Sequence, residues 1–256
     1  MSDIVKYAQH GATAIITLNR PESMNAFTTD LRKGLFAALQ HANADDAIRV
    51  VILTGEGRCF SAGADLKDGL NQSVKEMLLQ EYRPVQEAIA SMPKPIIAAV
   101  PGSAAGIGLS IALQCDLLIM ADNAFMLSPF TTISLIPDGG LNWLLVRQLG
   151  YRRAFQLSVE SERIAADRCI ELGLANKAVP ADELHDAALQ WAQAIEKRAP
   201  LSVAGTKKLM RFAAENDLSS SYEAEAELQG ELVGSDDNRE GVLAFFEKRA
   251  PEFKGS

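Results

Sequence analysis

The sequence predicts a single α/β protein whose second half is mostly helical. Two observations support this prediction. In the first half, short apolar runs rich in β-branched residues alternate with longer runs of helical spacing, which is the pattern of parallel strands joined by helices. After Asp138 most apolar positions recur at helical spacing. With 256 residues the chain is long enough to bury a full core.

The first predicted elements form a strand–helix–strand unit. Thr13–Leu18 is short, apolar and β-branched, as expected of a strand. Thr28 or Thr29 is placed to cap a helix over 30–43, and an apolar strand over 48–54 follows. Two strands joined by one helix should run parallel with a right-handed connection.

The remaining elements follow in order after a polar segment, 67–75, that we expect to be mobile. The first half continues with a helix over 74–91, a strand over 96–100, a small-residue turn, a helix from 109 to 113, and strands over 116–120 and 124–127. Helices are then predicted at 141–149, 153–159, 166–172, 182–198, 203–215, 219–233 and 239–249, with an extended link near 178–180.

Composition and charge disfavour several classes of protein. A net charge of −8 and a pI near 5.0 argue against binding to nucleic acid or to an anionic membrane surface. The sequence begins without a signal peptide and has no apolar run of ~18 residues, so we expect a cytoplasmic protein. Cys59, Cys115 and Cys169 are odd in number and far apart, which suggests neither a disulfide framework nor a CxxC metal site.

Familiar catalytic motifs do not occur in the sequence. His10, His41 and His185 lie in polar contexts without metal-ligand spacing, so we expect them at the surface and predict no metal site. In the run GSAAG, Ser103 stands one place too early for a GxSxG nucleophile elbow. Neither GxGxxG nor a phosphate-binding P-loop is present.

Two segments can deliver free backbone N–H groups. Small residues at 61–66 and 101–108 follow apolar runs, and the second segment leads into a helical pattern. Gly102, Gly106 and Gly108 permit turns that other residues resist, and the first N–H groups of a helix lack intrahelical partners. A carbonyl oxygen or anion at that helix end would be stabilised. The alternative is a buried turn whose small residues serve packing alone.

Asp138 is the candidate acid/base residue. It lies in the loop just before the helix predicted at 141–149, where two interpretations are open. Aspartate is a favoured helix N-cap, so its role can be structural. A carboxyl in a partly apolar loop would instead have a raised pKa, which suits proton transfer. We expect Asp65 and Asp116 to be structural turn or strand-end residues.

Taken together, the motifs resemble those of the crotonase (enoyl-CoA hydratase/isomerase) superfamily over essentially the whole chain. The matching runs are Asn19-Arg20-Pro21 with Asn25-Ala26, Ser61-Ala62-Gly63-Ala64-Asp65-Leu66, Lys94-Pro95, Ala105-Gly106-Ile107-Gly108 with Cys115-Asp116, Ile136-Pro137-Asp138-Gly139-Gly140, and Phe245-Phe246-Glu247-Lys248-Arg249. Each run alone is weak evidence for the family, and it is their common order and spacing that make the resemblance specific. The Asp138 loop and the ending look most like PaaG-type isomerases of phenylacetate degradation.

The resemblance implies a fold and a way of assembling. The fold would be a crotonase-like superhelix of ββα units, with an α/β core over 1–198 and a helical trimerisation region over 199–256. Members of the superfamily form homotrimers, often paired into hexamers. They act on acyl-CoA thioesters, so coenzyme A enters as part of the substrate and no separate cofactor is expected.

The resemblance also implies the site residues. The thioester oxygen would enter an oxyanion hole made by the backbone N–H groups of Ala64 and Ile107, the latter replacing a glycine common in the family. The other implied substrate- and CoA-binding residues are Ala26, Ala62, Asp65, Leu66, Lys67, Gly106, Phe130, Phe245 and Lys248. The last two would approach the CoA ribose phosphate, often from a neighbouring subunit.

The catalytic acids separate two activities within the family. Family hydratases use two glutamates, and the matching positions hold Ser110 and Phe130, neither of which is a carboxylate. Asp138 matches the single acid of isomerases that move a double bond from the 3 to the 2 position. An enoyl-CoA isomerase is therefore expected. The alternatives are a hydratase-like or epoxide-CoA-isomerising enzyme, or a non-catalytic acyl-CoA-binding protein. Phe130, Trp143, Leu144 and the segment 67–77 are expected to shape the acyl pocket.

Overall fold

The computed structural model describes residues 3–68 and 73–256, which form two β-sheets and a set of helices. The larger sheet contains, in hydrogen-bonded order, β1 (Val5–His10), β2 (Thr13–Leu18), β3 (Val50–Gly55), β5 (Ile96–Val100), β7 (Leu117–Ala121) and β10 (Lys177–Val179). The smaller sheet contains, again in order, β4 (Cys59–Ser61), β6 (Ser103–Ala105), β8 (Phe125–Leu127) and β9 (Ile164–Ala165).

The helices connect these strands and then continue alone to the end of the chain. They are α1 (Thr29–Ala44), α2 (Val74–Met77), α3 (Arg83–Ser91), α4 (Ile107–Gln114), α5 (Leu141–Leu149), α6 (Tyr151–Glu160), α7 (Ala166–Glu171), α8 (Leu184–Glu196), α9 (Pro200–Ala213), α10 (Leu218–Leu232) and α11 (Asp236–Glu247). A π-helical turn, Leu78–Tyr82, joins α2 to α3 without a break. No helix in the described ranges combines the length and the hydropathy needed to span a bilayer.

The chain visits both sheets three times in succession, through β3 and β4, β5 and β6, and β7 and β8. Each visit is followed by helical structure, which makes the superhelix of ββα units that the resemblance implies. Strands β4, β6 and β8 are parallel to one another, whereas β9 is antiparallel to β8. Residues that leave β4 and β6 therefore emerge at one edge of the smaller sheet, where the carboxyl ends of parallel strands meet.

The core is built from strands that are apolar on both faces. Every residue of β5 is buried, and in β3 only Thr54 is partly exposed, as expected for central parallel strands. Helix α1 begins where the Thr28 hydroxyl accepts a hydrogen bond from the Leu31 N–H at 3.3 Å. Its buried face includes Leu31, Leu35 and Leu39, which pack into the same core.

Several elements match the sequence prediction and others do not. Strands β2 and β5 and helix α5 have the predicted bounds, and β2 runs parallel to β3 as expected. The sequence does not predict β1, because this strand at the end of the sheet order buries only Val5 and so lacks a clear apolar alternation. It also does not predict β4 and β6, since three-residue strands are too short to show a period. His10, His41 and His185 are exposed, as predicted.

Helix α9 is attached to the core by an ion cluster around Asp116. The Asp116 carboxylate lies 2.7 Å from Lys207 Nζ and 2.9 Å from Arg211 Nη2, and it accepts the Ile96 N–H at 2.9 Å. The Lys207 ammonium also donates to Ile89 O at 2.9 Å and is 7% exposed. Asp116 is a structural residue at the start of a strand, as the sequence predicts.

Replacing Asp116 by alanine should destabilise the protein by about 3 kcal/mol, because it leaves the buried Lys207 ammonium without its carboxylate partner. Urea unfolding followed by circular dichroism, at one fixed protein concentration, measures this loss. The matched control is Glu171→Ala, which breaks the solvent-exposed pair with Arg168 and should change the unfolding midpoint far less. Equal midpoints for the two variants would contradict the prediction.

Candidate active site

The backbone N–H of Ala64 points away from the segment with which it pairs. Ala64 forms a parallel bridge with Phe27. In this bridge the Phe27 N–H donates to Gly63 O at 2.8 Å, and the Asp65 N–H donates to Phe27 O at 3.0 Å. The pairing thus uses groups of the residues on either side of Ala64. Within residues 3–68 and 73–256 the Ala64 N–H donates to no protein acceptor, and the residue is exposed.

Asn25 and Ser61 fix the loop that carries Ala64. The fully buried Asn25 amide donates to Cys59 O at 2.7 Å, at the start of β4. The Ser61 hydroxyl donates to Asn25 O at 2.9 Å and accepts the Gly63 N–H at 3.1 Å. These bonds set the direction in which the chain leaves β4, so they also set the direction of the Ala64 N–H.

The second free N–H belongs to Ile107, the first residue of α4. A helix has no internal partner for its first N–H groups. Gly106, just before it, has φ 55° and ψ −129°, which glycine adopts without strain. The Gly106 N–H donates to Leu127 O at 3.0 Å, whereas the Ile107 N–H meets no acceptor in the part of the chain that the structure describes.

Two glycines bring the loops that carry these donors into contact. A Cβ atom added to Gly63 would lie only 3.6 Å from the Cα of Gly106, so the two loops touch through their backbones. Ala64 and Ile107 each follow one glycine of this touching pair, and we infer that their N–H groups converge. Two converging backbone donors are suited to stabilising an oxygen that becomes negatively charged.

Asp138 supplies a carboxyl one residue before Gly139, which contacts the Ile107 side chain. It precedes α5, but the N-cap of that helix is Gly140 and no side chain caps it, so the N-cap interpretation is wrong. Burial raises the pKa of Asp138 to about 6, and no charged partner among the described residues offsets the effect. A carboxyl with this pKa can both accept and release a proton near neutral pH.

Gly139, the residue after Asp138, packs against the second donor residue, Ile107. Gly139 has φ 58°, and a Cβ atom added there would lie 1.8 Å from Ile107 Cδ1. Any larger residue would therefore push the loop away from Ile107. The Leu141 N–H donates to Asp138 O at 3.0 Å, which ties the other side of the loop to the start of α5.

Tyr82 and Phe27 form an aromatic pair next to the Ala64 loop. The two rings meet edge-on with their centroids 6.1 Å apart, and Phe27 is the residue bridged to Ala64. The Tyr82 hydroxyl accepts a hydrogen bond from Arg32 at 3.2 Å. Burial raises the pKa of Tyr82 to about 12; the Arg32 charge lowers it and the Asp138 charge raises it. The Tyr82 and Asp138 side chains are therefore close enough for their charges to interact.

The structure also brings Phe130 and Gly106 into this cluster. The Phe130 ring is 8% exposed, and its Cζ would lie 3.8 Å from a Cβ atom added to Gly106. An aromatic ring therefore lies where the family resemblance would place a hydratase glutamate. Of the other residues expected at the acyl pocket, Leu144 is buried and Trp143 is half exposed.

The predicted substrate-binding residues near Ala64 have backbone and charge partners of their own. The Ala62 N–H donates to Met24 O at 2.9 Å, and the Ala26 carbonyl accepts from Arg20. Arg20 also pairs with the Asp65 carboxylate at 3.2 Å, which gives Asp65 a structural role.

Leu66 and Lys67 come next in the chain and are exposed. The Lys67 N–H donates to the Asp65 carboxylate at 3.1 Å. Of the segment expected to be mobile, 69–72 lies outside the described residues. Ser73 accepts the Glu76 N–H at 3.5 Å and caps α2, so that end of the segment is helical.

The chain does not bring Phe245 and Lys248 to this cluster. Phe245 lies on α11 and is 79% exposed. It lines a groove with residues of α9 and α10 rather than with Ala64 or Asp138. Their predicted contribution from a neighbouring subunit stays a prediction.

Sequence reasoning missed Phe27, Arg32, Tyr82 and Gln86. Arg32 is 2% exposed and pairs with Glu81 at 2.6 Å, but an arginine inside a helical pattern normally indicates a surface position. Tyr82 and Gln86 are four residues apart, a spacing that puts both side chains on one helix face. This spacing is the feature of the sequence from which their shared location could have been predicted. In the described ranges no group of three His, Cys, Asp or Glu side chains is arranged to hold a metal.

The chain is similar in sequence and in structure to known proteins of one family. The family model described as enoyl-CoA hydratase/isomerase matches residues 8–256. A probable enoyl-CoA hydratase of Rhodobacter capsulatus is 40% identical over 98% of both chains. The 1,2-epoxyphenylacetyl-CoA isomerase of Escherichia coli is 35% identical over 100% of this chain and 99% of its own. The crystal structure of an enoyl-CoA hydratase from Polaromonas superposes with a TM-score of 0.92 at 36% identity, covering 98% and 99% of the two chains.

The raised pKa of Asp138 should make the protein less stable once this carboxyl ionises. The native state holds the proton up to about pH 6, whereas an unfolded chain releases it near pH 4, so stability attributable to Asp138 falls as pH rises through this window. Asp138→Asn should therefore stabilise the protein by about 2 kcal/mol at pH 8, and by almost nothing at pH 4.

Urea unfolding at the two pH values measures this difference. The control is Asp122→Asn, a change at an exposed aspartate that should leave stability unaltered at both. The account of Asp138 burial fails if Asp138→Asn gives the same small change at pH 8 and pH 4.

Proposed function

The chain belongs to the enoyl-CoA hydratase/isomerase family, and from this premise we propose that it shifts a 3-enoyl-CoA double bond to the 2 position. The observation that supports the choice is the number of available carboxyls. Asp138 is a partly buried carboxyl next to Gly139, which contacts Ile107, whereas Ser110 and Phe130 stand where the resemblance places the hydratase glutamates. One carboxyl suffices for an isomerisation, because the proton that leaves one carbon returns at another.

The thioester oxygen would lie between the backbone N–H groups of Ala64 and Ile107. Removing a proton from C2 turns this oxygen into the enolate oxygen of a conjugated dienolate, so the charge that develops is met by two donors already in position. A single donor of this kind is worth ~2.7–4 kcal/mol in the transition state. Since both donors are backbone groups, the isoleucine at position 107 retains the donor and narrows the site.

Asp138 would carry the proton in this mechanism. Its carboxylate takes a proton from C2, and the C2–H electron pair passes into the dienolate. The carboxylic acid then returns the proton to C4, and the double bond closes between C2 and C3. A pKa of about 6 suits a group that must act as base and then as acid near neutral pH. The apolar Phe130 ring would keep an attacking water away from C3.

A second candidate is isomerisation of an epoxide-derived CoA ester. The observation that favours it is the full-length similarity to the Escherichia coli 1,2-epoxyphenylacetyl-CoA isomerase. The same two donors would hold the thioester, and Asp138 would act on a proton of the epoxide-bearing acyl group. Hydration is the third possibility, since the Rhodobacter relative is named a probable hydratase.

The remaining site residues are proposed to bind the coenzyme A part of the substrate. The enzyme then needs no separate cofactor. Ala62, Leu66 and Lys67 lie in the segment that carries Ala64 and would line the thioester, and Ala26 would lie near the adenine. We expect a homotrimer or hexamer assembled through 199–256, with Phe245 and Lys248 reaching a neighbour's CoA.

Replacing Asp138 by asparagine should abolish exchange of the C2 proton of a 3-enoyl-CoA and reduce isomerisation at least 1000-fold. The asparagine cannot accept the proton, but it keeps the shape of the site, so acyl-CoA affinity should change less than about threefold. Proton NMR in D2O follows the exchange, and titration calorimetry with a saturated acyl-CoA follows the affinity. The Asp122→Asn variant serves as the control.

The wild-type rate should also depend on pH in a defined direction. Only the ionised Asp138 is a base, so kcat/KM for isomerisation should be constant above about pH 7 and fall tenfold per pH unit below about pH 6. Absorbance of the conjugated 2-enoyl thioester measures the rate. A profile that rises on acidification, or hydration of 2-enoyl-CoA as the fast reaction, would overturn the proposal.

A further inference from the structure

The carbonyl oxygen of Gly139, next to Asp138, is held by two side chains from two helices. Gln86 of α3 donates to Gly139 O at 3.0 Å through Nε2. The Ser110 hydroxyl of α4 donates to the same oxygen. The Gln86 amide also donates to Ser110 Oγ at 2.9 Å, which closes a triangle of hydrogen bonds.

The direction of each hydrogen bond in this triangle is determined by the chemistry of the groups. A carbonyl oxygen can only accept, so the Ser110 proton points at Gly139 O. The Gln86 side chain must present its NH2 group, because its own oxygen would face the Gly139 oxygen without a proton between them. Ser110 then accepts from Gln86 and donates to Gly139. The arrangement therefore requires the hydroxyl at 110 and the amide at 86 together.

The anchored carbonyl lies in the most adaptable part of the loop. Asp138 is followed by two glycines, and both have positive φ, 58° at Gly139 and 81° at Gly140. Consecutive glycines leave a backbone free to take many conformations, and ordering them costs more entropy than ordering other residues. Two hydrogen bonds to Gly139 O remove that freedom directly beside the carboxyl.

The same anchoring keeps the loop in contact with the donor residue Ile107. Gly139 packs directly on the Ile107 side chain, where even a Cβ atom would overlap Cδ1. Ser110 lies one helical turn beyond Ile107 in α4 and is fully buried. Helix α4 thus holds the loop at two points, through the Ile107 side chain and through the Ser110 hydroxyl.

We propose that Ser110 and Gln86 are positioning residues that hold the Asp138 carboxyl in place through Gly139 O. The inference rests on the proposed role of Asp138. Ser110 thereby has a use of its own at the position where a hydratase would carry a glutamate. An ionised glutamate at 110 has no proton for Gly139 O, so that glutamate and this conformation of the Asp138 loop exclude each other.

The test uses Ser110→Ala and Gln86→Met, which remove the donors at small cost in volume, and Ser110→Thr, which keeps the hydroxyl. Ser91→Ala is the matched control, because the Ser91 hydroxyl also donates to a helix carbonyl, Glu87 O at 2.7 Å, away from this triangle. For each variant, kcat and KM for 3-enoyl-CoA isomerisation, the acid limb of the pH profile and the affinity for a saturated acyl-CoA are measured.

The first two variants should lose ~10–100-fold in kcat, because a displaced catalytic group reacts far more slowly, and should bind the saturated acyl-CoA as the wild type does. The acid limb should move below about pH 6, since a released loop gives the carboxyl more water. Ser110→Thr should recover most of the rate, and Ser91→Ala should match the wild type. Wild-type kcat and an unmoved acid limb in both Ser110→Ala and Gln86→Met would overturn the proposal.

A readout without turnover separates this inference from the proposed function. If Ser110 holds Asp138 in its buried place, the stabilisation that Asp138→Asn gives at pH 8 should shrink in the Ser110→Ala background. This holds whichever reaction the enzyme catalyses. An undiminished stabilisation contradicts the positioning role, whereas a diminished one with no isomerase activity in the wild type contradicts only the proposed reaction.

Discussion

Parallel pairing of β4 with β6 makes the chain leave both strands at one edge of the smaller sheet, and the rest of the site depends on that geometry. The segments that follow β4 and β6 approach each other so closely that their backbones are in contact. Glycine at 63 and 106 permits this contact, and a Cβ atom added to Gly108 would lie 2.6 Å from the Ser61 Cβ. The two loops that carry the free N–H groups approach each other closely because three residues in these exits lack a side chain.

Each further part of the site is built on this contact. Ile107 is the first residue of α4, and its side chain contacts Gly139. This contact fixes the distance between the second donor and the Asp138 loop. The Asp138 carboxyl is partly buried and has no ionic partner among the described residues, which accounts for its raised pKa. In the proposed mechanism the protein gives up some stability to hold a proton acceptor in a partly apolar place, a common trade-off at active sites.

The sequence predicts the parts of this site that depend on local patterns. Small residues follow a buried strand and lead into a helical pattern, so free N–H groups at the start of that helix are expected from spacing. The resemblance implies Ala64 and Ile107 as the two donors and Asp138 as the acid. Contacts between distant segments leave no such pattern, so the Gly63–Gly106 approach could not be predicted.

The triangle of hydrogen bonds between Gln86, Ser110 and Gly139 likewise joins segments that are far apart in the chain. Gln86 and Ser110 are 24 residues apart, and Gln86 and Gly139 are 53 apart. Strands β4 and β6 have only three residues each, too few to show the alternation that predicts a strand, although the site lies at their ends.

The central claim is that one carboxyl moves one proton between two carbons. A 3-enoyl-CoA labelled with deuterium at C2 tests it directly, with the product examined by NMR and mass spectrometry after a single turnover. The account predicts a 2-enoyl-CoA that carries part of the label at C4, because Asp138 returns the deuteron it removed. A 3-hydroxyacyl-CoA as the product, or a 2-enoyl-CoA with no label at C4, would contradict it.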